Sequence, residues 1–341
     1  MKKITLFFAV MIIFSTGIVR ADFSKVGTSA AQFLKIGIGA RAMGMGETFV
    51  AVANDVSALY WNPAGLTNLS DISLIVSRSE WFAGINHDFA GLALPWGRNS
   101  VIGISAVALN VPEQEVTTID QPDGTGIYYD VGDIAIGLSY ARGLTDRFST
   151  GITAKFIQQN AYNETANTFA LDIGTTLRTG YRGLVIAMCM SNFGGRLQLD
   201  GRDLIILADI DKNLAGNYNA DARLKTESYP LPLNFRVGLA LDIVGGHDAF
   251  FPMAKNRFTL AIDGNHPNDN TERVNIGCEY TWNETIFARG GYKINYDVEK
   301  WAFGAGLKFG VARQIMSLDY AMVDFGDLGK VSRFSVELAF K

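Results

Sequence analysis

Few residues in this chain have the types and spacing that catalysis needs. Gly37-Ile38-Gly39-Ala40-Arg41-Ala42 matches the G-x-G-x-x-A fingerprint, whose glycines let a pyrophosphate approach a helix N-terminus. That chemistry requires a parallel βαβ unit, and no such alternation follows, so the string reads as close backbone packing. Asp324-Phe325-Gly326 spells the kinase magnesium motif without a Gly-rich loop, catalytic loop or strand lysine, and reads as an outer-loop turn. His87, His247 and His266 fall singly in expected loops, with no H-E-x-x-H or i,i+4 pair to hold a metal. Spacing marks no nucleophile with its base, although triads assemble across a fold. Two cysteines, Cys189 and Cys278, are too few for a disulfide scaffold or a cysteine zinc site. The expectation is a protein that is not an enzyme, with no cofactor and no metal.

What must position such residues is a β structure. Residues 1–21 read as a cleaved signal peptide: Lys2 and Lys3, an apolar core from Ile4 to Phe14, then Val19-Arg20-Ala21 for the peptidase. Without Lys2, Lys3 and Arg20, 27 basic residues face 34 acidic ones, a charge of -7 that argues against a nucleic-acid partner. Charged residues are only 19% of the chain, below the roughly 25% usual for soluble domains. Beyond the leader no apolar run approaches spanning length. A helical membrane protein is therefore excluded, while a β-barrel is not.

From Ile72 onward the pattern repeats every two residues. Ile134, Ile136, Leu138 and Tyr140 alternate with Ala135, Gly137, Ser139 and Ala141. Phe169, Leu171, Ile173 and Leu177 alternate with Ala170, Asp172, Gly174 and Thr176. Across the chain the second face carries glycines, small residues and isolated charges of both signs, among them Lys155, Asp172, Arg236, Asp242, Asp263, Glu279, Lys308, Asp319, Arg333 and Glu337. Such a face suits a crowded lumen, and the aliphatic and aromatic face suits lipid. Candidate strands start near residues 72, 88, 101, 133, 148, 168, 184, 232, 257, 273, 286, 301, 314 and 331. The fold class is all-β, a transmembrane antiparallel barrel of about 14 strands over 71–341. Long outer loops are expected at 111–132, 158–167 and 193–231, with short inner turns between them except for a fairly long inner connection at 243–257. Trp61, Trp81, Trp96, Tyr280, Trp282 and Trp301 are mostly candidates for interfacial girdles. Cys189 should face the lumen and Cys278 the lipid, both as buried thiols with no disulfide between them.

Residues 22–70 do not alternate. Alanine and glycine dominate 28–66, a short helix is plausible over Asp55–Trp61, and Asn62-Pro63 breaks it. The segment is expected to fold into the lumen as an N-terminal plug, with Arg41 and Glu47 meeting wall charges. Those charges (Arg236, Asp263, Glu279, Lys308, Asp319, Arg333 and Glu337) allow two readings, a structural network or a polar path with a ligand pocket.

The string Gly39-x-Arg41-Ala42-Met43-Gly44-Met45-Gly46-Glu47, continued by Ala58-Leu59-Tyr60-Trp61-Asn62-Pro63-Ala64-Gly65-Leu66, closely resembles the PorV/PorQ family of outer-membrane proteins. These are themselves similar to the FadL long-chain fatty-acid transporters. Leu231-Pro232-Leu233-x-Phe235-Arg236, Gly277-x-Glu279-Tyr280 and Arg289-x-Gly291-Tyr292 continue the likeness. It implies a fourteen-stranded barrel with a lumen plug built on Arg41, Gly44, Gly46, Glu47, Asn62, Pro63, Ala64 and Gly65. The implied location is the outer membrane of a Gram-negative-type bacterium, with outer-membrane lipid as a partner. It further implies work for type IX secretion, binding or shuttling exported protein cargo beside secretion-system subunits. The alternative is a FadL-like channel for hydrophobic small molecules such as fatty acids. Nothing in the residues sets the oligomeric state.

Overall fold

The computed structural model describes residues 25–208, 220–311 and 313–340; the expected leader lies outside them. Fourteen strands form one closed antiparallel ring. In chain order they are β1 (Ile72–Glu80), β2 (Asn86–Trp96), β3 (Ser100–Asn110), β4 (Val131–Gly143), β5 (Phe148–Ala161), β6 (Glu164–Arg178), β7 (Val185–Gly194), β8 (Asn234–Gly245), β9 (Asn256–Pro267), β10 (Arg273–Trp282), β11 (Ile286–Ile294), β12 (Trp301–Val311), β13 (Gln314–Asp324) and β14 (Lys330–Phe340). Each strand pairs with the next, and β1 closes on β14 in register from Ile72↔Phe340 to Glu80↔Ser332. Closure leaves no sheet edge unpaired, the condition for placing backbone amides in hydrocarbon.

The two faces separate as their chemistry demands. On β4 and β6, Ile136, Leu138, Phe169 and Leu171 point outward and are exposed, whereas Ser139 and Asp172 point inward and are buried. The inner face is closed by glycines and hydroxyls, as where Ser139 and Thr153 share a hydrogen bond of 2.7 Å. Both cysteines are free; Cys189 is buried inward as expected, but Cys278, on the outer side of β10, is only partly buried because that face is turned away from the packed interior. A lysine at Ile136 is expected to cost about 2–4 kcal/mol at the bilayer midplane. The same change at Ile119, fully exposed in a long loop, should cost nothing measurable. Heat-modifiable gel mobility of outer-membrane fractions reads the difference, and equal yields for both variants would show the faces misassigned.

The two longest connections, β3–β4 and β7–β8, lie at one end, and the long connection expected at the other end near 243–257 is the β8–β9 loop over 246–255. The β3–β4 loop carries a small ladder of Gln114–Glu115 with Tyr128–Tyr129, and the β7–β8 loop carries Arg196–Gln198 with Ser228–Pro230 and Ile205–Ala208 with Ala220–Arg223. The outer loop expected over 158–167 is absent. β5 and β6 instead run on to a two-residue turn at Tyr162-Asn163, with Tyr162 at φ 58°. Gln158, Gln159, Asn160 and Asn167 are polar, but a ladder is made by the backbone and continues beyond the apolar band. His87 and His266 also leave their expected loops: each sits near a strand end, His87 buried on the inner face of β2 and His266 exposed on β9. Asp324-Phe325-Gly326 closes β13 into a turn, as expected.

Inside the ring lie residues 31–66. A 3₁₀ turn (Gln32–Lys35), helix α1 (Ala40–Gly44), helix α2 (Ala58–Trp61) and a 3₁₀ helix (Pro63–Asn68) follow one another before β1. The short helix expected over Asp55–Trp61 is α2, and α1 has no counterpart in the sequence reading. Trp61 is no girdle residue: it is 1% exposed, and its indole Nε1 donates to Ile38 O at 3.0 Å. Trp96, Tyr280, Trp282 and Trp301 are exposed on the outer face. Trp81 instead stacks edge-on against Phe82 and Phe325, both with centroids 5.2 Å away.

Candidate functional site: the segment inside the ring

Glycine sets how near the segment comes to the wall. Gly46 has φ +65°, and Gly291 on β11 lies so close that a Cβ there would sit 2.2 Å from Gly46 N. Gly44 meets Gly304 on β12, and a Cβ on Gly277 of β10 would lie 2.4 Å from Met45 O. Three adjacent strands thus offer bare backbone to one turn of chain. Across the ring, Gly151 and Gly174 of β5 and β6 receive Pro63, Ala64 and Asn62 in the same way. Asn62 holds that turn: its Oδ1 accepts from Ala64 N at 3.1 Å, and its Nδ2 donates to Val50 O at 2.9 Å. Pro63 opens the 3₁₀ helix at the position where a missing N–H costs nothing. Gly65 lies against Ala53 O, where a Cβ would have no room.

Charges do the rest. Arg41 is bidentate on Glu279 of β10, at 2.9 Å from Nε and 2.8 Å from Nη2, and its Nη1 reaches Asp55 at 2.8 Å. Arg289 on β11 also donates to Glu279 at 2.7 Å and continues to Asp319 on β13. The chain Asp55–Arg41–Glu279–Arg289–Asp319 therefore ties the segment to three strands. Glu47 takes Lys293 of β11 at 2.9 Å, and Lys293 also holds Glu299 from the β11–β12 loop. Asp263 on β9 accepts backbone N–H bonds from Phe49 (2.7 Å) and Val50 (3.0 Å). Lys155 and Asp172 pair at 2.5 Å beside a bulge where β6 and β7 slip register.

Not every expected wall charge finds an opposite. Arg236 sits over Trp61 (4.9 Å to the ring centroid) and Arg333 over Trp81 (5.4 Å), neither in an ion pair among the described residues. A ring face supplies about 0.5–2 kcal/mol, less than the several kcal/mol that burial of a charge costs. Lys308 and Glu337 line a cavity at the opposite end of the ring, and neither makes an ion pair among the described residues. Arg289, Lys293 and Glu299 were absent from the sequence-derived set. Alternation along β11 (Phe287, Arg289, Gly291 and Lys293 inward) is the signal that finds the first two.

The segment stands between two cavities that share no lining residue. One, about 290 Å³, opens at the long-loop end between Leu34, Glu47, Arg236, Arg273 and Arg333. The second, about 300 Å³, lies at the short-turn end around Arg41, Asp55, Lys308, Asp319 and Glu337. At the rim of the first, Asp269 in the β9–β10 loop receives Ser29, Gln32 and Lys35. Burial alone would raise the Asp269 carboxyl, but those hydrogen bonds and the Lys35 charge prevail and hold its pKa below the ordinary value. Its contribution is therefore complete above the unfolded carboxyl pKa, about 4, and disappears as pH falls through the lower folded value. Hydrogen exchange of residues 29–35 should be slow at neutral pH and accelerate selectively below that value; unchanged protection there would refute the tether.

Among solved structures the chain is similar to the Ralstonia pickettii toluene transporter TbuX, with a TM-score of 0.53 and 12% identity over 89% of this chain and 99% of that one. It is similar too to the Pseudomonas putida toluene transporter TodX (0.54, 11%, 89% and 97%) and a Pseudomonas aeruginosa FadL homologue (0.51, 12%, 89% and 98%). The fold is thus the closed β-barrel of these structures. The sequence matches no family model and no curated protein.

Proposed function

We propose that this chain is a non-enzymatic outer-membrane channel for small hydrophobic molecules, closed at rest by residues 22–70 acting as a plug. The observation that carries this is a closed FadL-like ring whose N-terminal segment separates a cavity at each end. Toluene transporters share the fold over nearly their whole length. The first cavity also reaches the wall at Asn192, Pro232 and Asn234, where pairing of β7 with β8 stops at Ser191↔Asn234. Purified protein in liposomes should speed entry of toluene over that of a polar solute of similar size. Equal entry into protein-free liposomes would sink the reading.

The secretion role implied by the PorV/PorQ resemblance is the second reading. What favours it is the long β7–β8 connection, which exposes Leu207 and Tyr229 on paired strands and Leu224 beside them. Pull-down from solubilised membranes tests it: recovery of neither exported cargo nor secretion subunits would exclude it.

A further inference from the structure

The cavity at the long-loop end has more donors than the protein can satisfy. Arg236, Arg273 and Arg333 line it, and none makes an ion pair among the described residues. Its carboxylates are already engaged, Asp269 by Lys35 and both Glu47 and Glu299 by Lys293. Arg333, 1% exposed, spends Nε on Ser79 and leaves Nη1 without a partner. Asn265, also more than nine-tenths buried, leaves its Nδ2 unpaired, and Arg273 leaves its Nε. Against these three donors stands one unpaired acceptor, Asn234 Oδ1. Aromatic rings flank the cations: Trp81 lies under Arg333, and Tyr296 lies 4.3 Å from Arg273.

A ring face offsets only part of the desolvation of a buried guanidinium, and a buried amide N–H without an acceptor keeps its desolvation cost. The missing group is an acceptor with several oxygens and a negative charge, which a forked guanidinium meets best. We infer that this cavity is a binding site for a small oxyanion, a carboxylate or phosphate head on a flat apolar body that rests against Trp81 and Tyr296. Its volume, about 290 Å³, falls just below the usual range for ligand pockets, roughly 300–1,000 Å³, so the body is no more than one ring in size. The site goes beyond the channel reading, because a bound anion requires no passage through the barrel.

Calorimetric titration of the full-length protein in a nonionic detergent tests this with benzoate, phenyl phosphate and neutral benzyl alcohol. Saturable binding of benzoate or phenyl phosphate is expected, and the tighter of the two identifies the head. Arg273→Gln, at the half-buried rim, should weaken it at least about tenfold, as should Arg333→Gln where that variant folds. Arg223→Gln, in the distant β7–β8 loop, should leave it unchanged. No saturable heat with either anion, equal affinity for benzyl alcohol, or indifference to Arg273→Gln would each overturn the site. Failure of toluene entry in liposomes removes the channel and leaves this binding untouched.

Discussion

Deleting residues 28–66 is expected to leave a barrel that folds poorly or conducts ions freely in planar bilayers, where the intact protein stays closed. The segment fills the ring's midsection: Phe33, Ile38, Met43, Met45, Phe49, Leu59, Trp61 and Leu66 are each at most 3% exposed. Their removal exposes inner walls that are already polar, with Glu279, Arg289, Asp319, Asp263 and Lys293 free to be hydrated. Wall hydrogen bonding itself is untouched, since every strand pairs with two neighbours and none with the segment. Hydrated charges of both signs around an open lumen favour ion passage, as in water-filled barrels. Loss of the buried aromatic and aliphatic contacts is the competing effect, at about 25 cal/mol per Å² of apolar surface. If contacts dominate, the deleted protein fails to acquire heat-modifiable mobility; if the wall suffices, single-channel steps appear. A deleted protein that folds normally and stays closed would show that the segment is no plug and that the loops seal the pore.

The wall was legible because lipid imposes a strict rule at every second residue. Ile136 and Leu138 against Gly137 and Ser139 can be arranged in only one way, and strand starts follow to within a few residues. The ends were not, since lipid no longer constrains them: β5 and β6 hide their extension among glutamines and asparagines. The interior segment was legible in its composition, its turn and the helix before that turn, but not in α1. α1 is one turn of Ala-Arg-Ala-Met-Gly, too short to show any period, and it is held by the wall through Gly44 rather than by its own propensity. Trp61 shows the same limit. Its type suits an interface, and only the tertiary placement of Ile38 O decides that it lies in the lumen. Partners of Arg41 and Glu47 were likewise beyond reach, because Glu279 and Lys293 lie more than two hundred residues away and pairing follows barrel register, not sequence distance.

Glu279→Gln is expected to lower stability by about 3 kcal/mol and to loosen the segment from the wall. Breaking a buried ion pair by removing one partner costs about 3–5 kcal/mol, because the opposite charge stays desolvated. Here one carboxylate serves two guanidiniums, and both it and Arg289 are 2% exposed. Asp55 still holds Arg41 and Asp319 still holds Arg289, which puts the cost at the lower end of that range. Arg41→Gln should cost less, since Glu279 keeps Arg289 and Arg41 is itself 15% exposed. The pair is in direct contact, so the double variant should cost clearly less than the two single losses together. Denaturant unfolding in a nonionic detergent measures the three free energies, and hydrogen exchange at 40–55 reports the loosening. If Glu279→Gln costs under about 1 kcal/mol, water already reaches this carboxylate and surface-pair energetics apply. If the losses add, Arg41 and Glu279 act independently, and the segment is held by its glycine contacts and its bonds to Lys293 and Asp263 rather than by this pair.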